Sequence, residues 1–188
     1  TNGGLWSNYN LANSTPITTT ATITKKDVTL TTLSASNKTY DGTTAANITS
    51  GVITDTVGSE TLLISGSGTF ADQHAADGKT VTVADVTTLT QANGTGDWNN
   101  YTLTTTGSKT TTANIAKKDV TLTAIAANNK TYDGNQDAVI DNGTLSGTVG
   151  AETLLISGSG TFSDKNAATG KTVTVANVAA LTKADGSG

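Results

Sequence analysis

The chain has 188 residues, fifteen acidic and eleven basic, for a formal net charge of −4. All eleven basic residues are Lys, and there is no Cys, no Met, one Pro and one His. Without a basic patch or the forked donor that reads base edges, nucleic acid is not an expected partner; thiol chemistry is excluded, and no apolar run approaches the roughly 20 residues of a membrane span.

Residues 5–11, LWSNYNL, open a Thr-rich stretch that reaches TATI at 20–23. DVTLT follows, with Val28 and Leu30 alternating against outward Thr, the pattern of a half-buried strand. SNKTYDG at 36–42 then breaks the strand. Asp-Gly is a turn signal, because Gly takes a positive φ freely and Asp hydrogen-bonds the backbone two residues on. Tyr40 is expected to bury its ring and send its hydroxyl to a backbone carbonyl, with Lys38 on the same strand face. VGSE at 57–60 reads as a turn, and TLLISG at 61–66 as a deeply buried run. ADQHAADGK at 71–79 is the one place that could hold a helical turn. KTVTV (Val81, Val83), NYTLT (Tyr101, Leu103) and TANI (Ala113, Ile115) are further strands, separated by Gly-containing breaks.

After TANI the chain starts again. KKDVTL begins at 25 and 117, NKTYDG at 37 and 129, ETLLISGSGTF at 60 and 152, and GKTVTV at 78 and 170, always 92 apart. Residues 25–96 and 117–188 align without a gap and are identical at 47 of 72 positions. A period of 92 is the size of a small domain, not of a solenoid rung. The second copy carries the same alternation at Val120, Leu122, Val173 and Val175. The expected class is all-β: tandem elongated modules, an immunoglobulin-like sandwich favoured, with a β-grasp-like module of minimal helix as the alternative. Each module has a thin apolar core for its length.

NKTYDGTTAA, then ETLLISGSGTFADQHAADGKTVTV, then NNYTLTTT and TANIAKKDV, resemble the YDG-type repeat of very large bacterial haemagglutinin-like surface adhesins, many of them exported by two-partner secretion. The resemblance covers essentially the whole chain. It implies that residues 1–24 are the closing strands of a preceding repeat, 25–116 a complete repeat, and 117–188 a repeat lacking its closing strands. It implies a stalk or spacer that projects a distant binding region from the bacterial surface, exported across a Gram-negative outer membrane. Export of an unfolded chain through a pore fits the missing Cys. No signal peptide opens the sequence, which reads as an internal piece of a longer protein. A structural boundary near residue 92, giving modules 1–92 and 93–184, is the competing division.

No enzyme is expected: the only imidazole, His74, is Asn166 in the second copy, and the sole glutamates, Glu60 and Glu152, have no partner carboxylate in view. The motif residues Lys38, Tyr40, Asp41 and Gly42, with Lys130, Tyr132, Asp133 and Gly134, read as a structural corner. Sharper readings are a metal site on Asp41, calcium at the junction residues Asp27 and Asp119, and an isopeptide cross-link drawing on Lys38, Lys79, Asp72 and Asn100 (counterparts Lys130, Lys171, Asp164 and Asn8). No cofactor is expected, calcium being the one candidate; the alternating acidic pattern of an EF-hand is absent and two lysines flank each junction Asp. Asn13, Asn37, Asn47, Asn93, Asn100, Asn129 and Asn142 begin N-x-S/T triplets, possible sites of glycosylation in the host. Trp6 and Trp98, at equivalent positions, suit a core anchor or a sugar-stacking platform, so direct binding of a host glycan or protein is the rival to a spacer. The expected partners are neighbouring repeats. Head-to-tail self-association is also expected, with Trp6, Tyr9, Leu11 and Ile23 of one molecule donated onto Val120, Leu122, Leu155 and Val173 of the next.

Overall fold

The computed structural model describes residues 3–12 and 15–186, and they are nearly all strand, turn and loop. Asn13, the first triplet asparagine, lies outside the described residues. Among the described residues no helix is long and apolar enough to cross a membrane.

The first repeat contains β1 (Lys26–Ala35), β2 (Lys38–Thr39), β3 (Ala45–Thr54), β4 (Leu62–Phe70), β5 (Ala76–Val83), β6 (Thr90–Asn93), β7 (Tyr101–Leu103) and β8 (Lys109–Ala116). They form one sheet in the order β2-β8-β5-β4-β3-β1-β7, with β6 on β4. Because β2 continues β1 past Ser36 and Asn37, this order returns to the strand where it began. The sheet curls around its core and β8 seals it. Thr111 Oγ1 donates to the Leu33 carbonyl at 2.8 Å, and the Asn114 amide donates to Asn37 Oδ1 at 2.7 Å. Most pairs are antiparallel; β1 with β7 (Val28 opposite Leu103) and β2 with β8 (Lys38 opposite Ile115) are parallel.

The alternation dictates the core. Val28, Leu30 and Leu33 of β1, Ile48 of β3, Val81 and Val83 of β5, and Ala113 and Ile115 of β8 point inward while their Thr neighbours face water. TLLISG is buried at Leu62 and Ile64 but exposes Leu63, so it alternates rather than lying wholly inside. β4 serves three partners: Leu62–Ser65 pair with β6, Gly66–Thr69 with β3, and Thr69–Phe70 with β5. The change occurs at Gly66, where an added Cβ would stand 2.7 Å from Leu89 Cδ2. A second, smaller cluster of Val28, Leu62, Trp98 and Tyr101 lies beside the main core.

The stretch 71–79 forms no helical turn. Asp72 accepts a hydrogen bond from the His74 amide at 2.8 Å and pairs with Lys79 at 2.5 Å, closing a loop between β4 and β5. The short 3-10 turns fall instead at Val86–Thr88 and Trp98–Asn100, where Asp85 and Asp97 cap the following amides.

The second repeat holds β9 (Thr121–Ala127), β10 (Asp137–Ser146), β11 (Leu154–Phe162), β12 (Val173–Thr174) and β13 (Thr182–Asp185), ordered β12-β11-β10-β9 with β13 on β11. This is the first repeat's sheet without counterparts of β2, β7 and β8. Its strands are shorter where those would pair: β12 has two residues where β5 has eight, and β9 starts at Thr121 where β1 starts three positions earlier in the repeat. The link 117–120 is therefore not strand, although a continuous run of strand is the expectation from a stretch free of Gly and Pro between Thr112 and Leu122. In the first repeat those early residues are held by β7.

Gly51 sits where β3 passes over the core: a Cβ there would lie 2.6 Å from both Ile64 Cγ2 and Leu30 Cδ1. Gly51→Ala should destabilise the first repeat by about 1–3 kcal/mol through overpacking. Urea unfolding followed by Trp98 fluorescence checks this, and an unchanged midpoint would contradict the packing described.

Candidate functional site

The repeated Lys-Thr-Tyr-Asp-Gly segment is a turn built from its own side chains. Gly42 has φ +76° and Gly134 +83°, the left-handed conformation that glycine adopts without strain. Asp41 Oδ1 accepts from the Thr43 amide at 2.9 Å. Lys38 Nζ reaches back to Asp41 at 2.7 Å and to the Thr43 carbonyl at 2.8 Å, and lies 5.5 Å from the centre of the Phe70 ring. The second copy repeats this: Lys130 pairs with Asp133 at 2.9 Å, donates to the Asn135 carbonyl at 3.1 Å and lies 5.6 Å from the Phe162 ring. The Lys38 bond, with the Thr43 bonds behind it, holds the Asp41 carboxyl down at about 2.

Tyr40 is what the turn presents. Its ring packs against the edge of its own core, and its amide bonds the Ala116 carbonyl at 2.8 Å. Its hydroxyl does not reach a backbone carbonyl, as the sequence suggested. It crosses to the second repeat and donates to Glu152 Oε1. Gly42 follows it closely: a Cβ at Gly42 would stand 3.0 Å from Val149 Cγ1, so a larger residue would press on the next repeat. Glu152 sits at the turn before β11, as Glu60 sits before β4. There Tyr101, of the closing segment, donates to Glu60 Oε2 and accepts from the Val57 amide at 3.1 Å. Both phenols are held above their usual pKa, chiefly by the hydrogen bond to the carboxylate. The sequence marked both glutamates only as turn residues; their identical position, one per repeat, was the available signal.

The closing segment explains the second repeat's exposed surface. Val28 is 0% exposed and its counterpart Val120 is 38%; Leu62 is 4% and Leu154 is 39%. A cleft of about 220 Å³ lined by Val120, Leu145, Leu154, Leu155, Ile156 and residues 183–185 lies where Trp98 sits in the first repeat. There the Trp98 indole donates to the Leu63 and Ala92 carbonyls at 3.1 and 3.0 Å, so Trp98 is a core anchor. A larger cleft of about 550 Å³, lined by residues that include Tyr132, Phe162, Lys171 and Val173, corresponds to the bed of β8. At the other end of the chain the described part of residues 3–24 is exposed throughout: Trp6 is 76% exposed against 9% for Trp98, and Tyr9, Leu11 and Ile23 are likewise uncovered.

The remaining candidates stand apart. Lys79 and Lys171 pair with Asp72 and Asp164, whose side chains are about half exposed. Asn100 lies exposed in the turn before β7, away from Lys79, which faces Ala113 across β5 and β8. Its counterpart Asn8 is exposed in the 3-10 turn Trp6–Asn8. Asp27 lies opposite Thr102, and Asp119 is exposed in the link. Among the described residues no three His, Asp or Glu side chains come together as a metal would need. Asn93 and Asn37 use their side-chain oxygens to bind the Trp98 and Asn114 amides.

Because the Asp41 carboxyl is lowered on folding, the turn's contribution is present above the ordinary 3.8 and is lost as pH falls through about 2. Carbon-detected NMR titration of the native chain should find Asp41 still ionised near pH 3; a midpoint at the ordinary value would show that the Lys38 and Thr43 bonds do not persist in solution.

The sequence matches the YDG domain over residues 24–112 and again over 116–187. No curated protein and no solved structure matches the chain. With most of its length inside two such matches, the chain belongs to the YDG domain family.

Proposed function

We propose that these repeats are stalk segments of a secreted bacterial haemagglutinin-like adhesin of the two-partner type, non-catalytic and free of cofactor, which hold a distant binding region away from the cell surface. The observation that carries this reading is the joint. β8 seals the first repeat and, four residues after its end, the chain enters β9 of the second; beside this short link Tyr40 donates to Glu152. Two connections in parallel restrain bending more than a single strand of chain, which is what a spacer needs. The burial of Trp98 supports the same reading, since an aromatic that anchors a core cannot also stack on a sugar.

Partners follow from the same geometry. Residues 3–24 resemble the closing segment in sequence, and the second repeat leaves clefts open at the places that Trp98 and β8 fill in the first. We infer that Trp6, Tyr9, Leu11 and Ile23 of one molecule add to the second repeat of another, pairing as β7 and β8 pair in the first repeat. Bending the arm back within one molecule would mean spanning a whole repeat along strands that rise about 3.3 Å per residue.

Small-angle scattering of the monomer should give an extended distance distribution with two maxima, and a glycan array should give no reproducible binding; a compact distribution, or hits lost on Trp98→Ala in a variant that still folds, would favour a binding module instead. Deletion of residues 1–24 should abolish concentration-dependent association in sedimentation velocity. If the shortened chain associates as before, strand donation is wrong.

A further inference from the structure

Each repeat contains one glutamate, and in the two repeats that glutamate is caught in complementary states. Glu60 Oε2 accepts from Tyr101, the tyrosine that closes its own repeat, while Oε1 takes no hydrogen bond from any described residue. Glu152 Oε1 accepts from Tyr40, the motif tyrosine of the repeat before, while Oε2 takes no hydrogen bond from any described residue. Combined through the 92-residue offset, the two bonds give one carboxylate with two tyrosine donors, and its two equivalent oxygens can take one each.

The surroundings agree. Tyr40 touches Ala116 through its amide and Glu152 through its hydroxyl, and its neighbour Gly42 lies against Val149. The counterparts of those three residues are Thr24, Glu60 and Val57. All three line one cavity of about 260 Å³, together with Ile23 and Tyr101. The acceptor half of the joint is thus present at the front of the first repeat. The donor half is present at the back of the second: Tyr132 is 62% exposed, its hydroxyl has no partner among the described residues, and its turn is held by the same Lys130–Asp133 pair.

We propose that the single glutamate of each repeat is a two-sided joint, bonded on one oxygen by its own closing tyrosine and on the other by the motif tyrosine of the repeat before, so that Glu60 and Tyr132 form a binding site for a second copy of this chain. The second copy is the occupant because it supplies both halves at once. If the arm of one molecule closes the second repeat of another, that repeat meets the arm's own first repeat in the arrangement already seen between repeats one and two. Tyr132 then enters the Thr24–Val57–Glu60 cavity as Tyr40 enters its own, and Tyr9 reaches the second oxygen of Glu152. The inference stands on the joint's geometry and holds whether the array serves as a spacer or as a binder.

The test is sedimentation velocity on the whole chain and on Tyr132→Phe and Tyr9→Phe, each of which removes one hydroxyl and no packing. A lost hydrogen bond to a carboxylate should weaken head-to-tail association about tenfold or more for each variant. A wild-type chain that stays monomeric, or a Tyr132→Phe chain that associates as tightly as wild type, overturns the proposal. Tyr40→Phe gives a second readout within one molecule. Nitrogen-15 relaxation should show the two repeats tumbling with one correlation time in the wild type and with separate, shorter ones in the variant; unchanged coupling in Tyr40→Phe also counts against a tyrosine–glutamate joint. Shape and sugar binding are not measured here, so failure of this inference leaves the stalk reading to its own experiments.

Discussion

The strand that seals the first repeat's core comes last in that repeat. β8 lies between β5 and the β1–β2 strand, and without it the curled sheet has two unsatisfied edges and an uncovered interior. A core made of a few Val, Ile and Leu side chains has little to spare. Fully burying such a side chain is worth about 1.5–3 kcal/mol, and a domain's whole margin is about 5–15 kcal/mol. Val120, Ile125, Leu154 and Val178, exposed in the second repeat, correspond to Val28, Leu33, Leu62 and Val86, buried in the first. Each of the four is 37–49% exposed, so their uncovering forgoes a sizeable part of that margin. The closing segment therefore decides whether a repeat is a stable unit.

The joint solves a different problem. Large apolar interfaces between modules would expose sticky surface at either end of any array. A tyrosine and a carboxylate are both tolerable in water when unpaired, and the bond between them is directional and charge-assisted. A carboxylate also has two equivalent oxygens, which a backbone carbonyl or an amide cannot offer to two hydroxyl donors on the same terms. The raised pKa of Tyr40 and Tyr101 has the same origin: each phenol must keep its proton to donate it.

Periodicity made the strands legible, because Thr on one face and Val, Leu or Ile on the other is a direct consequence of a sheet with one wet face. Repetition made the modules legible. Three things were not legible. The loop at 71–79 has helix-tolerant residues, but the Lys79–Asp72 pair spans its ends and holds it as a hairpin connection. TLLISG looked wholly buried because a run of apolar residues does not reveal that β4 exchanges partners at Gly66. The Tyr40–Glu152 bond joins residues 112 apart in different repeats, and no local pattern encodes such a distance.

The motif itself then divides into support and display. Lys38, Asp41 and Gly42 spend their interactions inside the turn: the ammonium on the Phe70 ring and the carboxylate, the carboxylate on the Thr43 amide, the glycine in a conformation that other residues resist. Only Tyr40 reaches outward. A turn fixed this firmly loses little further freedom when its tyrosine finds a carboxylate, so more of the hydrogen bond's free energy remains to hold the repeats together. The same economy explains why the motif is kept in a chain otherwise poor in charged and aromatic residues. Each of its members either sets the direction of one phenol or is that phenol, and the residue it meets is the only glutamate the next repeat contains.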